Sequence, residues 1–199
     1  LAKVLVELPP WRRSLVTHLL GQPHGWELAQ RLFGAVRQAG GDVSAAEMKL
    51  MLSVLIKDKN YEQAYFVWLD SLDTASLTHV QNVFDSGFDL EPRGEYFDWT
   101  IREPKNASIS VTNRPGSAAN RALKLDFAGY QGAFSHVTQH LRLSPGDYVL
   151  SQDVLVQAMQ ASRGLVWRLR CADTKKVIAE TAEIKDAGPW TVSRTALTV

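Results

Sequence analysis

Histidines are the first residues whose type and spacing could support chemistry. The sequence has five, and only His136 and His140 are close enough along the chain to act together. On a helix, a separation of four residues places two imidazoles where they can bind one Zn²⁺. The segment around these two alternates apolar and polar residues like a strand, in which positions four apart lie about 13 Å apart on one face. We therefore interpret His136 and His140 as part of a solvated strand face.

Other catalytic arrangements are absent from the sequence. It contains no Gly-x-Ser-x-Gly elbow, no phosphate-binding glycine loop and no His-Glu-x-x-His helix. Glu180 and Glu183 are better explained as exposed positions around a turn than as a hydrolytic acid pair. Cys171, the single cysteine, can form no intrachain disulfide and is predicted to be a buried, unreactive thiol. We predict that the protein is not an enzyme and assign no catalytic residue and no cofactor, although a hydrolase remains a third hypothesis.

The charge of the chain argues against a nucleic-acid partner, and its hydropathy argues against a membrane-spanning segment. The formal net charge is +1, and neither half of the chain concentrates basic residues, so a nucleic-acid interface is not predicted. No apolar run approaches the roughly 20 residues that span a bilayer, and the first residues lack the pattern of a signal peptide. Because Leu1 falls within an apolar pattern, we expect the chain to be a fragment of a longer precursor.

Any site must be positioned by the secondary structure, and the first predicted elements of the chain are amphipathic helices. Apolar residues recur every three or four positions from Trp11 to Leu72. Gly21 and Gly40 stand where helices should end in a left-handed residue. Ser44 and Glu47 have capping-box spacing, and Asn60 offers a second N-cap. Helices are predicted over Trp26 to Ala39, Ala45 to Asp58 and Tyr61 to Leu72.

A repeat is visible within these helices. When Trp26 to Ala29 is aligned with Tyr61 to Ala64, Phe33 falls on Trp68, at an offset of 35 residues. An aromatic residue, a small alanine and a second aromatic residue at this spacing suit two closely approaching helices. The segment resembles tetratricopeptide repeats, whose period is about 34 residues and which dock other proteins.

The pattern changes after Leu72, because alternating and β-branched residues then follow, separated by Gly, Pro and Asn turns. We therefore predict an α+β chain of two modules, with helical repeats at 1–78 and an antiparallel β-sandwich of about eight strands at 79–199. The predicted strands are Phe97 to Arg102, Ala107 to Thr112, Ala122 to Phe127, Ser135 to Leu143, Gly146 to Gln157, Gly164 to Cys171, Lys176 to Glu180 and Trp190 to Leu197.

A family likeness lies in this second half. Asn82 to Phe88 leading to Trp99, then Ala122 to Leu125, and then Leu143 to Tyr148 before a long strand are similar to carbohydrate-binding modules of the galactose-binding-like jelly-roll fold. The resemblance implies a jelly roll that binds polysaccharide or oligosaccharide. Helical repeats followed by such a module also resemble bacterial proteins of exopolysaccharide or envelope glycan assembly, which implies a periplasmic or envelope location.

The resemblance also implies which residues would contact a sugar. Aromatic rings stack on the apolar face of a pyranose, and amide or guanidinium groups bond its hydroxyls. The candidate ligand-binding residues are Trp99, Tyr130, Gln139, Trp167, Arg168 and Trp190. Tyr130 stands out, because in Gly129-Tyr130-Gln131-Gly132 glycines flank an aromatic loop residue. Family modules often hold a structural Ca²⁺, for which Asp85 and Asp126 are possible ligands by position, but two acids without a third ligand are interpreted as surface charges.

The sequence is compatible with two alternative functions. The first is a non-catalytic glycan-binding protein whose helical repeats dock a protein or peptide. The second is a protein-interaction scaffold in which the sandwich is structural and binds no sugar. A large apolar interface between the two modules would favour the scaffold.

Overall fold

A computed structural model of the chain describes residues 1–117, 120–130, 132–158 and 164–199, with six helices and eight strands in those ranges. The helices are α1 (Ala2–Val6), α2 (Arg12–Leu20), α3 (Gly25–Gln38), α4 (Ala45–Lys57), α5 (Tyr61–Leu69) and α6 (Thr74–Leu77). The strands are β1 (Thr100–Ile101), β2 (Ala107–Asn113), β3 (Arg121–Phe127), β4 (Val137–Thr138), β5 (Asp147–Val156), β6 (Arg168–Arg170), β7 (Val177–Glu180) and β8 (Gly188–Thr198). The predicted mixed α+β class is confirmed.

The helix ends follow local chemistry at two of the four predicted positions. The Ser44 hydroxyl accepts a hydrogen bond from the Glu47 amide, and the Glu47 carboxylate accepts one from the Ser44 amide, so the capping box is confirmed. Gly40, with φ +84°, takes the left-handed conformation after α3. Gly21 also follows a helix, but the prediction of a left-handed residue there is wrong, because right-handed Gly21 donates to the carbonyls of the last turn. Asn60 occupies the predicted N-cap position of α5, but its side chain makes no capping hydrogen bond, so the predicted side-chain cap is wrong.

The helices pack around α4, which contacts α2, α3 and α5. Ala29 and Ala64, the two alanines aligned by the 35-residue offset, are fully buried, and their aromatic followers Phe33 and Trp68 are almost so. Gly25 is required at the start of α3, because a Cβ there would lie 1.7 Å from the Leu19 carbonyl oxygen. Membership of the tetratricopeptide class stays a prediction. None of the described helices combines the length and the hydropathy that a membrane span requires.

The apolar core continues past the predicted module boundary. The Trp68 ring lies edge-on to Phe84, with centroids 5.0 Å apart, and 5.5 Å from Phe97. Tyr65 contacts Phe97 as well, at 5.2 Å. Trp68, Phe84 and Phe97 belong to one buried cluster that extends back to Val16, and the partly buried Tyr65 packs against it. The segment after α6 is therefore packed on the helices, and the division into 1–78 and 79–199 stays a prediction about folding units.

The strands pair as four antiparallel couples within the described residues, β1 with β4, β2 with β3, β5 with β8 and β6 with β7. In the longest couple, β5 and β8, one face of the sheet includes the exposed valines Val149 and Val192. The side chains on the opposite face are partly buried. The predicted strand from Ser135 to Leu143 is reduced to Val137–Thr138, because its partner β1 is also only two residues long.

Candidate functional site

The residues predicted to bind a sugar are distributed over several parts of the β half. Of the four predicted rings, Trp99 and Trp167 contact each other, with centroids 5.8 Å apart. Trp99 is only 7% exposed, because Phe88 stacks on it at 4.9 Å and its indole N–H donates to the Asp85 carbonyl. Trp167 is half-buried, and its backbone amide donates to Thr181. This pair therefore packs the segment after α6 against the residues that precede β6.

Both predicted polar partners have internal hydrogen bonds. The Gln139 amide nitrogen donates to the Phe84 carbonyl at 2.9 Å, and the Gln139 amide oxygen accepts from the Phe84 backbone amide at 3.2 Å. Arg168 donates to Glu180 across the β6–β7 couple. Gln139 thus holds the loop that carries Phe84, and Arg168 stabilises a hairpin.

Trp190 lies beside a second arginine that the sequence did not single out. The Arg114 guanidinium lies 3.9 Å from the centroid of the Trp190 ring and pairs with Asp153 at 2.6 Å. The Trp190 indole N–H also donates to the Pro115 carbonyl. One face of Trp190 is therefore covered by a cation of the same chain.

Tyr130 occupies a different setting, which we name the aromatic cluster and define as Phe127, Tyr130, Phe134 and His136. The Tyr130 centroid lies 6.0 Å from Phe127, 5.9 Å from Phe134 and 5.7 Å from His136, in tilted and edge-on arrangements. Phe134 in turn contacts Phe127 and His136 at 5.3 and 5.0 Å. Four rings are therefore gathered at the end of β3 and the loop that follows it.

The cluster is partly open to solvent. Phe127 is 37% exposed, and the other three rings are half-buried. The Tyr130 hydroxyl donates to the Ala133 carbonyl, which fixes the ring across the loop. Gln131, within the predicted glycine-flanked motif, lies outside the described residues. The four rings fall within residues 127–136, so the cluster has a local sequence signal, although Tyr130 alone among them is a predicted sugar contact.

The two predicted calcium ligands have different environments. Asp126 is exposed on β3 and pairs with Lys124 at 2.9 Å. Asp85 is buried, and its nearest titratable neighbours are His79 and Asp89. In the part of the chain that the structure describes, Asp126 is not a member of any group of three potential metal ligands.

Other titratable groups also differ from the sequence interpretation. Cys171 is half-buried at the turn between β6 and β7, so the prediction of a buried thiol is wrong. Hydrogen bonds from the side chain and backbone of Thr174 lower the pKa of this thiol. His140 is exposed, and His136 belongs to the aromatic cluster. Desolvation of the ring and the positive charge of Lys175 lower the pKa of His140, whereas its hydrogen bond with the Tyr96 carbonyl acts in the opposite direction.

Comparison with known proteins gives no further assignment. No family model matches the sequence, and no curated protein and no solved structure matches the chain. A functional assignment therefore depends on the residues described above.

Proposed function

We propose that this protein is a non-catalytic glycan-binding protein that acts in bacterial polysaccharide or envelope assembly. In this proposal the β half is a jelly-roll module of the galactose-binding-like type, and the tetratricopeptide-like helices dock a protein or peptide. The ligand is a polysaccharide or oligosaccharide, and the location is the periplasm or cell envelope.

The observation that carries the proposal is the aromatic cluster. A sugar ring presents C–H groups on one face, and an aromatic ring with an open face binds that surface while excluding water. Phe127 and Tyr130 are the two rings best suited to this contact, because one is exposed and the other is held by a hydroxyl hydrogen bond. Pre-positioned rings lose little conformational entropy on binding, which favours affinity.

The test is calorimetric titration of the whole chain with a panel of bacterial polysaccharides and their oligosaccharides. Phe127→Ala and Tyr130→Ala should each weaken binding about tenfold, which corresponds to the loss of one stacked ring. Phe66→Ala is the matched control, because Phe66 is 49% exposed but lies on α5. Absence of binding across the panel, or equal binding by all three variants, would contradict the proposal.

A specific observation also favours the second function, a protein-interaction scaffold without sugar binding. The apolar contacts of Trp68 with Phe84 and Phe97 are the kind of interface that a structural end module would make with the helices. The same variants separate the two functions. A scaffold predicts that Phe66→Ala weakens capture of a protein co-purified with the wild-type chain, and that Phe127→Ala leaves this capture unchanged.

A further inference from the structure

Three potential metal ligands meet in the segment that follows α6. The Nδ1 atom of His79 lies 3.3 Å from Oδ1 of Asp85 and 4.0 Å from Oδ2 of Asp89. All three donor atoms lie within 4.8 Å of one another. An imidazole and two carboxylates in this arrangement offer one nitrogen and two oxygen donors to a single ion.

The charge on Asp85 has no permanent counter-ion within the described residues. Three carboxylates are buried there, those of Glu47, Asp85 and Asp98. Glu47 pairs with Arg12 and Asp98 with Arg93, whereas the one basic group within 4 Å of Asp85 among the described residues is the imidazole of His79. A buried carboxylate is costly unless hydrogen bonds, a paired cation or a bound metal compensate its charge. A divalent ion at this position would supply the missing positive charge.

The backbone holds Asp85 in place before any ion binds. Its two carboxylate oxygens accept hydrogen bonds from the amides of Asp89 and Leu90, at 2.9 and 3.1 Å. Its own amide donates to the His79 carbonyl, which closes the loop between these two residues. A carboxylate has about four lone-pair positions, so two backbone bonds leave capacity on the oxygens for an ion.

We propose that His79, Asp85 and Asp89 bind one divalent transition-metal ion of the Zn²⁺ type. Ligand bonds of about 2.0–2.2 Å in tetrahedral geometry place neighbouring donors about 3.4 Å apart, close to the separation between His79 and Asp85. Asp89, whose side chain is 49% exposed, can move the short distance needed to complete the set. A nitrogen donor and three protein ligands suit Zn²⁺ better than Ca²⁺, which takes six to eight oxygens.

The ion would connect the end of the helical region to the loop on which Trp99 is packed. The Asp85 carbonyl accepts the Trp99 indole N–H, so immobilising Asp85 also fixes the Trp99 ring. This site differs from the calcium pair that the family resemblance implies, since it uses His79 and Asp89 and does not use Asp126. It is independent of the proposed glycan function.

The test is titration of the metal-free whole chain with Zn²⁺ by calorimetry, with thermal unfolding in parallel. The expected stoichiometry is one ion per chain, and the Tm should rise by about 5–10 °C at a hundredfold excess of metal over Kd. His79→Gln and Asp89→Asn should each weaken Zn²⁺ binding by about 100-fold. Asp85 is left unchanged, because its substitution would also break the backbone bonds of the loop.

Two controls keep the test specific. His18→Gln removes an exposed histidine on α2, and Asp126→Asn removes the carboxylate paired with Lys124, so neither should alter the affinity. Circular dichroism of each metal-free variant checks that it is folded. No binding, or Zn²⁺ binding that survives in folded His79→Gln, would overturn the proposal. So would tighter binding of Ca²⁺ than of Zn²⁺, because it would remove the role of the nitrogen donor.

Discussion

Arg12 and Glu47, 35 residues apart in the chain, form a buried ion pair with two hydrogen bonds of 2.7 and 2.8 Å. The same guanidinium donates to the carbonyls of Leu5 and Asp42, and the same carboxylate completes the cap of α4. One arginine on α2 therefore joins α1, the loop before α4 and the first turn of α4. This arrangement stabilises the helical region only while both charges are present.

Replacing Arg12 with leucine should destabilise the protein by about 3–5 kcal/mol, because it leaves the buried Glu47 charge without a partner. Urea unfolding measures this change through the unfolding free energy. Arg13→Leu is the control, since Arg13 is exposed next to Arg12 and its loss should cost no more than about 0.5 kcal/mol. Equal effects of the two substitutions would show that the pair is not a major source of stability.

The pair should also make stability depend on pH. Burial by itself would raise the pKa of Glu47, but hydrogen bonds from Arg12 and Ser44 outweigh it, so that the pKa lies below the ordinary value of 4.5. A group with a lowered pKa contributes its full stability above the unfolded pKa and loses it as the pH falls through the folded pKa.

Unfolding free energies of the wild type and of Glu47→Gln, measured from neutral pH downward, check this dependence. The advantage of the wild type should be constant above about pH 5 and should shrink as the pH falls below the pKa of a free Glu side chain. A constant difference down to pH values far below that range would mean that the Glu47 charge does not contribute.

The ring contacts across the predicted module boundary should make the chain unfold as one unit. Phe84→Ala removes a ring that is 4% exposed and edge-on to Trp68, so a loss of about 3 kcal/mol is expected. In the wild type, helical circular dichroism and tryptophan fluorescence should change at the same urea concentration. Two separate transitions would instead support independent folding of 1–78 and 79–199.

The contact between Arg114 and Trp190 should be measurable as a coupling energy. A double-mutant cycle with Arg114→Ala and Trp190→Leu should give about 0.5–1 kcal/mol, the range for a partly exposed cation–π pair. Asp153→Asn is a useful third variant, because Asp153 pairs with the other side of Arg114 and should leave the coupling largely intact. A coupling close to zero would contradict the assignment.

Local periodicity was enough to predict the main elements. The predicted helix over Ala45 to Asp58 differs from α4 by one residue, because its cap and its apolar stripe are both encoded nearby in sequence. The strand predicted over Ala107 to Thr112 likewise differs from β2 by one residue. The strand predicted over Ser135 to Leu143 was too long, since strand length depends on a partner that is distant in sequence.

The site was less predictable than the fold, because side-chain partners come from distant segments. Gln139 has the chemistry of a sugar ligand, and nothing near it in sequence indicates that its amide bonds the backbone of Phe84. The link between His79 and Asp85 was missed for a different reason: the two residues are close in sequence, but their contact depends on a loop conformation that no periodicity describes. The grouping of rings around Tyr130 could have been predicted, because its members are close together in the sequence.

The amide contact between Phe84 and Gln139 also has a consequence for synthesis of the chain. The two residues are 55 positions apart, so at about 5–20 residues per second the ribosome adds Gln139 roughly 3–11 s after Phe84. During that interval the Phe84 loop lacks two of its native hydrogen bonds, and the apolar rings around Trp68 are incompletely covered. We therefore expect the nascent helical region to expose apolar surface until the β half begins to emerge.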